Sequence, residues 1–302
     1  MRIYNGLQSY MAPPGGTAVA LGFFDGVHLG HRAVVGACAA SGLPCTVLTF
    51  SEAPAKSLGR ECPPLLTDNS RKAALLEGLG AREIIFADFA QLRELSPEDF
   101  VRGILHERLN ARRVYCGFNY RFGSGGSGDT AVLQALCERY GIEVTVCEPV
   151  FLDGEPVSST RIREHIAAGD VERAAVMLGG SYAVAGEIGG GNRIGTTMGF
   201  PTVNISLRGD LAIPRFGVYA SLLTINGKQY RGATNIGVHP TVSEMKLPLC
   251  ETFLLDFEGG DLYGKSAVCE LNHFIRGERK FASVDELSAQ IEIDCEQIKQ
   301  LL

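Results

Sequence analysis

The sequence predicts an α/β domain, built on a parallel sheet with helices on both faces, followed by a small antiparallel β-barrel domain with a C-terminal helix. Up to about residue 180, short apolar runs alternate with helical patterns. After residue 181, strand-like runs follow one another with turns between them and few helices. The length of 302 residues also favours two domains, and we set them at residues 1–180 and 181–302.

The first domain contains five apolar runs that are typical of buried strands, at residues 17–21, 45–50, 83–86, 113–116 and 143–147. Helical patterns lie between them, among them residues 31–40, 71–79 and 96–109. Strands that alternate with helices are typical of a parallel sheet. Ligands of such sheets bind beyond the carboxyl ends of the strands.

The second domain contains five strand-like runs, at residues 182–187, 217–225, 229–234, 251–257 and 267–274. Asn226-Gly227 lies between two of these runs and is a strong hairpin signal. The chain ends in a helical pattern that Ser283 can cap, with Glu286 three residues on. Its apolar face is predicted to cover the barrel and consists of Leu287, Ile291, Cys295 and Ile298.

The composition excludes several classes of protein. A net charge of −6 argues against a role in coating nucleic acid or a membrane surface. No apolar stretch is long enough to span a membrane, and no signal peptide is recognised at the start. The 9 cysteines form no CxxC pair and are typical of free thiols in a reducing compartment. We therefore expect a cytoplasmic protein with small-molecule partners; the sequence leaves open whether it has protein partners.

The first candidate site is a glycine-bearing turn between a strand and a helix, with the sequence Gly22-Phe23-Phe24-Asp25-Gly26-Val27-His28-Leu29-Gly30-His31. Such a corner binds anions, because free N–H groups and the positive end of the helix dipole meet there. A histidine pair can bind metal or donate hydrogen bonds to phosphate. We favour phosphate, since only Asp25 is a nearby third ligand and the glycines allow close approach of the backbone.

This turn resembles the HxGH signature of the nucleotidyltransferase superfamily, and with Phe24-Asp25-Gly26 it resembles the bacterial FAD synthetase branch. The resemblance implies a Rossmann-like nucleotidyltransferase domain that adenylylates FMN with ATP. It implies that His28 and His31 are catalytic contacts to phosphate. The implied ATP-binding residues of the turn are Gly22, Phe24, Asp25, Gly26, His28 and His31.

A second segment carries hydroxyls at a helix start and two arginines in the first turn, in the order Ser158-Ser159-Thr160-Arg161-Ile162-Arg163. Arginine is unfavourable there for the helix dipole, so an anion is expected to compensate. A capped surface helix is the alternative. The segment resembles the Ser-Ser-Thr-x-Ile-Arg element of the superfamily. The resemblance implies that Ser159, Thr160, Arg161 and Arg163 bind ATP, with Arg161 catalytic.

A glycine-rich loop with aromatics, at residues 117–128, follows the fourth predicted strand. It can hold a flat heterocycle and a phosphate, or its aromatics can pack inward. The loop resembles a flavin-binding segment of FAD synthetases, in which an Asp is frequent where Asn119 stands here. The resemblance implies flavin contacts from Asn119, Arg121, Phe122 and Asp129.

In the second domain, the segment Gly199-Phe200-Pro201-Thr202-Val203-Asn204 resembles the Gly-Phe-Pro-Thr-Ala-Asn motif of riboflavin kinases. Thr202 and Asn204 are two apart on an extended segment and so face the same side. The resemblance implies that Gly195, Thr202 and Asn204 bind ATP, that Thr202 and Asn204 hold Mg²⁺, and that Glu251 is the catalytic base.

Two further patterns of the second domain can be interpreted either as binding sites or as ordinary structural features. Arg276 and Arg279 match the late arginine-rich turn of the kinases and are candidate flavin contacts, or they lie on a solvated turn. Residues 259–266 match a P-loop pattern, but the alternation after them predicts a strand, whereas a P-loop opens a helix.

The resemblance as a whole implies a bifunctional enzyme of FAD biosynthesis: ATP phosphorylates riboflavin to FMN, and a second ATP adenylylates FMN to FAD. Its expected cofactor is Mg²⁺, with ATP as co-substrate. One alternative is that only one activity is retained, because Ala53 stands where the family often has a histidine and Thr196 where an arginine is frequent. A flavin carrier without turnover is the alternative from another class.

Overall fold

The structure, a computed structural model, describes residues 1–57, 59, 61–189, 202–238, 248–255, 257 and 259–302. The chain forms two compact units, Met1–Ser159 and Thr160–Leu302, which we call the first unit and the second unit. Each is described by itself. Among the described helices, none is long and apolar enough to cross a membrane.

The first unit is built on a six-stranded parallel sheet with the order β1-β4-β3-β2-β5-β6. Its strands are β1 (Arg2–Asn5), β2 (Thr17–Leu21), β3 (Cys45–Phe50), β4 (Glu83–Ala87), β5 (Ala111–Gly117) and β6 (Glu143–Cys147). The predicted parallel sheet is confirmed. The sequence did not predict β1, because it has only four residues and lacks the buried apolar pattern of a central strand.

Helices cover both faces of this sheet. They are α1 (Leu29–Ala39), α2 (Pro54–Ser57), α3 (Asn69–Gly78), α4 (Phe89–Leu92), α5 (Pro97–Asp99) and α6 (Thr130–Glu138). Ser96 caps α5 as predicted, by accepting a hydrogen bond from Asp99 N at 3.0 Å. Residues 100–108 continue α5 with wider π-type turns. A short hairpin follows β6 and pairs β7 (Phe151–Leu152) with β8 (Glu155–Pro156).

Alternate residues of the central strand enter two different cores. Val19 and Leu21 of β2 pack into a core that includes Val101 and Leu105 from the helix after Ser96. Ala18 and Ala20 pack on the opposite face. This alternation explains the fully apolar run of β2: a strand of a parallel sheet is buried on both sides.

The second unit contains a closed barrel with the strand order β10-β13-β12-β11-β14-β9. The strands are β9 (Tyr182–Gly189), β10 (Thr202–Ser206), β11 (Gly217–Ile225), β12 (Lys228–Gly237), β13 (Leu249–Leu254) and β14 (Ser266–Gly277), and neighbouring strands run antiparallel. The hairpin at Asn226-Gly227 is confirmed. Both residues have positive φ, 50° and 79°, as a type I′ turn requires.

In the part of the second unit that the structure describes, the helices are α7 (Ser159–Ala168), whose first residue belongs to the first unit, α8 (Val171–Leu178) and α9 (Val284–Leu301). Ser283 caps α9 as predicted, by accepting a hydrogen bond from Glu286 N at 3.2 Å. Ile291, Cys295 and Ile298 of α9 pack against barrel residues such as Ala220, so the predicted covering role of this helix is confirmed.

The P-loop pattern at residues 259–266 leads into β14 and not into a helix. The predicted strand is therefore confirmed. A phosphate cradle of the P-loop type needs a helix N-terminus at this position, so the pattern is a coincidence of sequence.

Candidate active sites

The turn between β2 and α1 has an unusual backbone. Phe24, Gly26 and Val27 have positive φ values of 55°, 82° and 45°. Gly26 adopts this conformation without cost, but a β-branched residue such as Val27 rarely does. Strain of this kind persists where the surroundings hold the backbone firmly, and it collects at functional sites.

Hydrogen bonds tie the turn to the segment before α3. The carboxylate of Asp25, which is 2% exposed, accepts from Leu66 N at 2.8 Å and from Thr67 N at 3.3 Å. In return, Gly26 N donates to the Thr67 hydroxyl at 3.2 Å. Through these bonds, Asp25 fixes the turn to the segment before α3.

The two histidines of the turn form a stacked pair. Their ring centroids lie 3.6 Å apart with planes at 19°, and the edge of the Phe24 ring contacts His31. Gly30 makes room for this stack, since a Cβ at that position would lie 3.2 Å from Cε1 of His28. Both Nδ1 atoms are buried, and neither has a hydrogen-bond partner within the part of the chain that the structure describes.

Both imidazoles are neutral at pH 7. Burial lowers the pKa of His28 to about 4. Burial, and then the nearby charges of His28 and Lys72, lowers the pKa of His31 well below its usual value. A neutral imidazole has one N–H donor and one acceptor nitrogen, so the pair can donate hydrogen bonds to phosphate oxygens. In the described residues, no three His, Cys, Asp or Glu side chains gather as a metal site would require.

The other predicted residues of the turn differ in how they can act. Phe24 is 1% exposed and belongs to the core, where its ring packs against that of His31 in a T-shaped contact. Gly22 lies so close to the Phe24 ring that a Cβ there would meet it at 2.9 Å. We therefore expect Gly22, Phe24 and Gly26 to contribute through their backbone.

Ser159, the first residue of α7, lies against the same turn. Ser159, the last residue of the first unit, donates its hydroxyl to the carbonyl oxygen of Asp25 at 3.0 Å. Thr160, which is exposed, and the half-buried Arg161 and Arg163 follow in the first turn of this helix. The structure thus brings together the turn and Ser159.

Two aromatics of the predicted flavin loop, Tyr120 and Phe122, pack inward. Phe122 is 6% exposed and stacks on Tyr120, and its backbone pairs with that of Gly128. Asp129 caps α6 by accepting from Val132 N at 3.0 Å, and that hydrogen bond lowers the pKa of its carboxyl.

Other side chains lie at the surface of this loop. Asn119 and Arg121 are exposed, and a guanidinium nitrogen of Arg121 lies 3.9 Å from Asp129. Phe118, which the sequence analysis did not single out, is 49% exposed and offers a ring face. Flavin contacts from Asn119, Arg121, Phe122 and Asp129 stay a prediction.

A row of polar residues crosses three neighbouring strands of the barrel. Asn204 of β10 is paired with Glu251 of β13, which is paired with Asn235 of β12. Directly opposite residues share a face of the sheet, so these three side chains project together. The next residue, Thr252, faces the other side and hydrogen-bonds Thr234 at 2.8 Å in the barrel interior.

The residues near Asn204 fit a magnesium ion. Its amide oxygen Oδ1 is buried and has no hydrogen-bond partner among the residues that the structure describes. An uncompensated buried acceptor is costly, and oxygen atoms are the ligands that Mg²⁺ prefers. Thr202 lies two residues earlier on the same strand and so on the same face.

Part of the predicted kinase motif lies outside the described residues: Gly195, Thr196, Gly199, Phe200 and Pro201. The arginine-rich turn after β14 is described. The guanidinium of Arg276 binds both carboxylate oxygens of Asp294 on α9, at distances of 2.8–3.1 Å. Arg279 lies over the Phe281 ring at 4.4 Å and pairs with Glu286. Both arginines thus connect this turn to its own unit; flavin binding by them stays a prediction.

Sequence analysis missed Lys72, a residue of α3 that is 2% exposed. A signal was present: Lys72, Ala73 and Leu76 follow the helical spacing of a buried face, and a lysine in such a stripe is unusual.

Comparisons with known proteins identify two family domains along the chain. The family model described as FAD synthetase matches residues 11–161, and the one described as riboflavin kinase matches residues 178–302. The chain is 36% identical to the bifunctional riboflavin kinase/FMN adenylyltransferase of Listeria monocytogenes, covering 91% of this chain and 89% of that protein. The enzyme of the same name from Escherichia coli is 34% identical, with coverage of 97% and 96%.

The fold is also similar to a crystal structure from Streptococcus pneumoniae described as a macrolide-efflux protein, with a TM-score of 0.88, 29% identity and 98% coverage of both chains. The two family matches, one on the domain with the parallel sheet and one on the barrel domain, define a two-domain transferase of nucleotide and phosphate groups. Within that class, the chain belongs to the bifunctional riboflavin kinase/FMN adenylyltransferase family. It contains both domains of that family.

Proposed function

We propose that this chain makes FAD in two steps, first phosphorylating riboflavin to FMN and then adenylylating FMN to FAD, with one ATP consumed at each step. The observation that carries the proposal is the presence of both family domains on one chain. The product of the second domain is the substrate of the first, so the two activities form a sequence.

In the adenylyl transfer, a phosphate oxygen of FMN forms a bond to the α-phosphorus of ATP as the bond to pyrophosphate breaks. The FMN phosphate is already anionic, so this step needs no base. Catalysis then consists of aligning the reactants and stabilising the charge on the phosphorus. The neutral, buried pair of His28 and His31 is suited to donate hydrogen bonds to that centre, and Arg161 and Arg163 are proposed to bind the triphosphate.

In the kinase half, a neutral hydroxyl of riboflavin is the nucleophile, and it does need a base. Glu251 is the proposed base, and its pairing with Asn204 in the polar row supports this role. Thr202 and Asn204 would hold Mg²⁺. When bound, the ion neutralises charge on the phosphates of ATP.

We also propose a cytoplasmic location. All nine cysteines are free thiols, and seven of them are buried. Free buried thiols are typical of proteins in a reducing compartment.

The direct test is to incubate the purified chain with riboflavin, ATP and Mg²⁺ and to separate the flavin products. We expect FMN to appear first and FAD to accumulate from it. FMN without FAD, even when FMN is supplied, indicates that only the kinase is retained. Tight flavin binding with neither product supports a carrier and contradicts the proposal.

A further inference from the structure

Lys72 is a buried cation that has no role in the two reactions proposed above. Its side chain is among the largest fully buried ones of the protein, at 2% exposure. Lysine is almost never fully buried unless it is paired, because removing an ammonium from water is costly. A function is therefore to be sought in what surrounds it.

The Lys72 ammonium lies against the turn that carries the histidine pair. Its Nζ atom is 4.2 Å from the centroid of the Phe23 ring, a cation–π contact. Its charge is felt by His31, whose pKa it helps to lower, and it is attracted by the carboxylate of Asp25. That carboxylate also accepts two backbone hydrogen bonds from the segment before α3. Its negative charge therefore interacts with these N–H groups as well as with Lys72.

Unlike His28 and His31, Lys72 carries a positive charge at neutral pH. Burial lowers the pKa of Lys72 to about 8, and the attraction of Asp25 opposes that decrease. At pH 7 the amine is therefore about nine-tenths protonated. His28 and His31 are neutral under the same conditions.

We propose that Lys72 is a phosphate-binding residue of the adenylyl-transfer site, where its ammonium binds the triphosphate of ATP and the pyrophosphate that leaves. This inference rests on the proposed function of the first domain. In the reaction, the FMN oxygen bonds to the α-phosphorus, and the departing pyrophosphate keeps the electron pair of the broken P–O bond. Lys72 keeps its proton throughout and contributes charge alone.

The test compares Lys72→Met, which keeps the apolar stem and removes the charge, with Lys72→Arg, which keeps the charge. Three Michaelis constants are measured on the full chain: for ATP in FAD formation, for pyrophosphate in the reverse reaction, and for ATP in riboflavin phosphorylation. Loss of a charged hydrogen bond predicts a rise of about ten- to hundredfold in the first two for Lys72→Met. We expect the third to stay unchanged and Lys72→Arg to show the smaller effect.

Arg139→Met is the matched control, because it removes one positive charge from an exposed ion pair of the same unit. It should leave all three constants unchanged. If folded Lys72→Met has the wild-type constant for pyrophosphate, Lys72 is a packing residue and the inference is wrong. A wild-type chain that makes no FAD contradicts the proposed function instead.

A measurement on the wild-type chain decides the matter even if Lys72→Met does not fold. The value of kcat/KM for ATP in FAD formation reports groups that titrate in the free enzyme. The titratable groups that interact with Lys72 are Asp25 and His31, and His28 stacks on His31. Of these, we expect only Lys72 to titrate near pH 8, so kcat/KM should fall tenfold per pH unit above that pH. A flat profile between about pH 7.5 and about pH 9.5 overturns the inference.

Discussion

At the scale of residues, the first candidate site depends on two imidazoles that burial keeps neutral. Stacking at 3.6 Å and burial make a doubly protonated pair very unfavourable, so both rings stay neutral in the absence of ligand. Their buried Nδ1 atoms have no partner among the described residues. Burying polar atoms without partners is costly for folding. A bound phosphate offsets this cost, because it supplies both hydrogen-bond acceptors and negative charge.

Replacing His28 with Asn should slow FAD formation about a hundredfold or more, because one preorganised donor to the transition state is lost. FMN formation by the same preparation should be unaffected. His106→Asn, at an exposed histidine of the same unit, is the control and should alter neither rate. Wild-type FAD formation by His28→Asn would remove His28 from the site.

The lowered pKa of His28 also predicts how stability depends on pH. The unfolded chain binds a proton on this residue near pH 6.5, whereas the folded chain does so only near pH 4. Stability is therefore lost as the pH falls through this window, by about 2 kcal/mol at about pH 5.

Urea unfolding of the wild-type chain and of His28→Asn, at about pH 7.5 and about pH 5, checks this expectation. The wild type should lose about 2 kcal/mol more than the variant over that interval. Equal losses in the two proteins would show that His28 titrates normally in the folded chain.

At the scale of elements, helix α1 positions the histidine pair through a glycine. Gly30 lies at the start of the helix, where the ring of His28 occupies the space that a side chain would need. Gly36 lies farther along the same helix, where a Cβ would meet nothing within 4 Å. Gly30 is therefore needed to make room for the His28 ring, whereas no neighbouring atom requires a glycine at position 36.

Gly30→Ala should displace the His28 ring and slow FAD formation at least tenfold, with little change in the unfolding midpoint. Gly36→Ala is the matched control. It should keep full activity and raise helix stability by about 1 kcal/mol, since alanine is the better helix former. Comparable activity of the two variants would contradict the role assigned to Gly30.

The elements also show what sequence could and could not predict. Periodicity predicted β2 and α9, because buried faces impose a pattern on neighbouring residues. The same reasoning missed β1, whose four residues are mostly exposed. It missed Lys72 as well, because the contact with Phe23 joins residues far apart in sequence and depends on how α3 packs.

At the scale of the whole molecule, the sequence placed the domain boundary near residue 180, whereas the compact units meet at Ser159 and Thr160. The difference concerns α7 and α8. Glu172 of α8 pairs with His273 of β14 at 3.0 Å, and Met177 of the same helix is fully buried. These contacts lie within the second unit and indicate that α8 contributes to the stability of the barrel.

A fragment of residues 160–302 should therefore be more stable than one of residues 181–302. Thermal unfolding of the two fragments, followed by circular dichroism, measures the difference. Since α8 packs against β9 and β14 of the barrel, we expect the shorter fragment to melt at least several degrees lower. Equal melting temperatures would support the boundary near residue 180.

The central claim is that one chain carries two separate active sites that act in sequence. Glu251→Gln tests it most directly, because the substitution removes a base from one proposed site and leaves the other intact. The measurement is FAD formation by this variant when it is given ATP with riboflavin and, separately, ATP with FMN. The account predicts almost no product from riboflavin and FAD from FMN at the wild-type rate; wild-type phosphorylation of riboflavin, or loss of FAD formation from FMN, would contradict it.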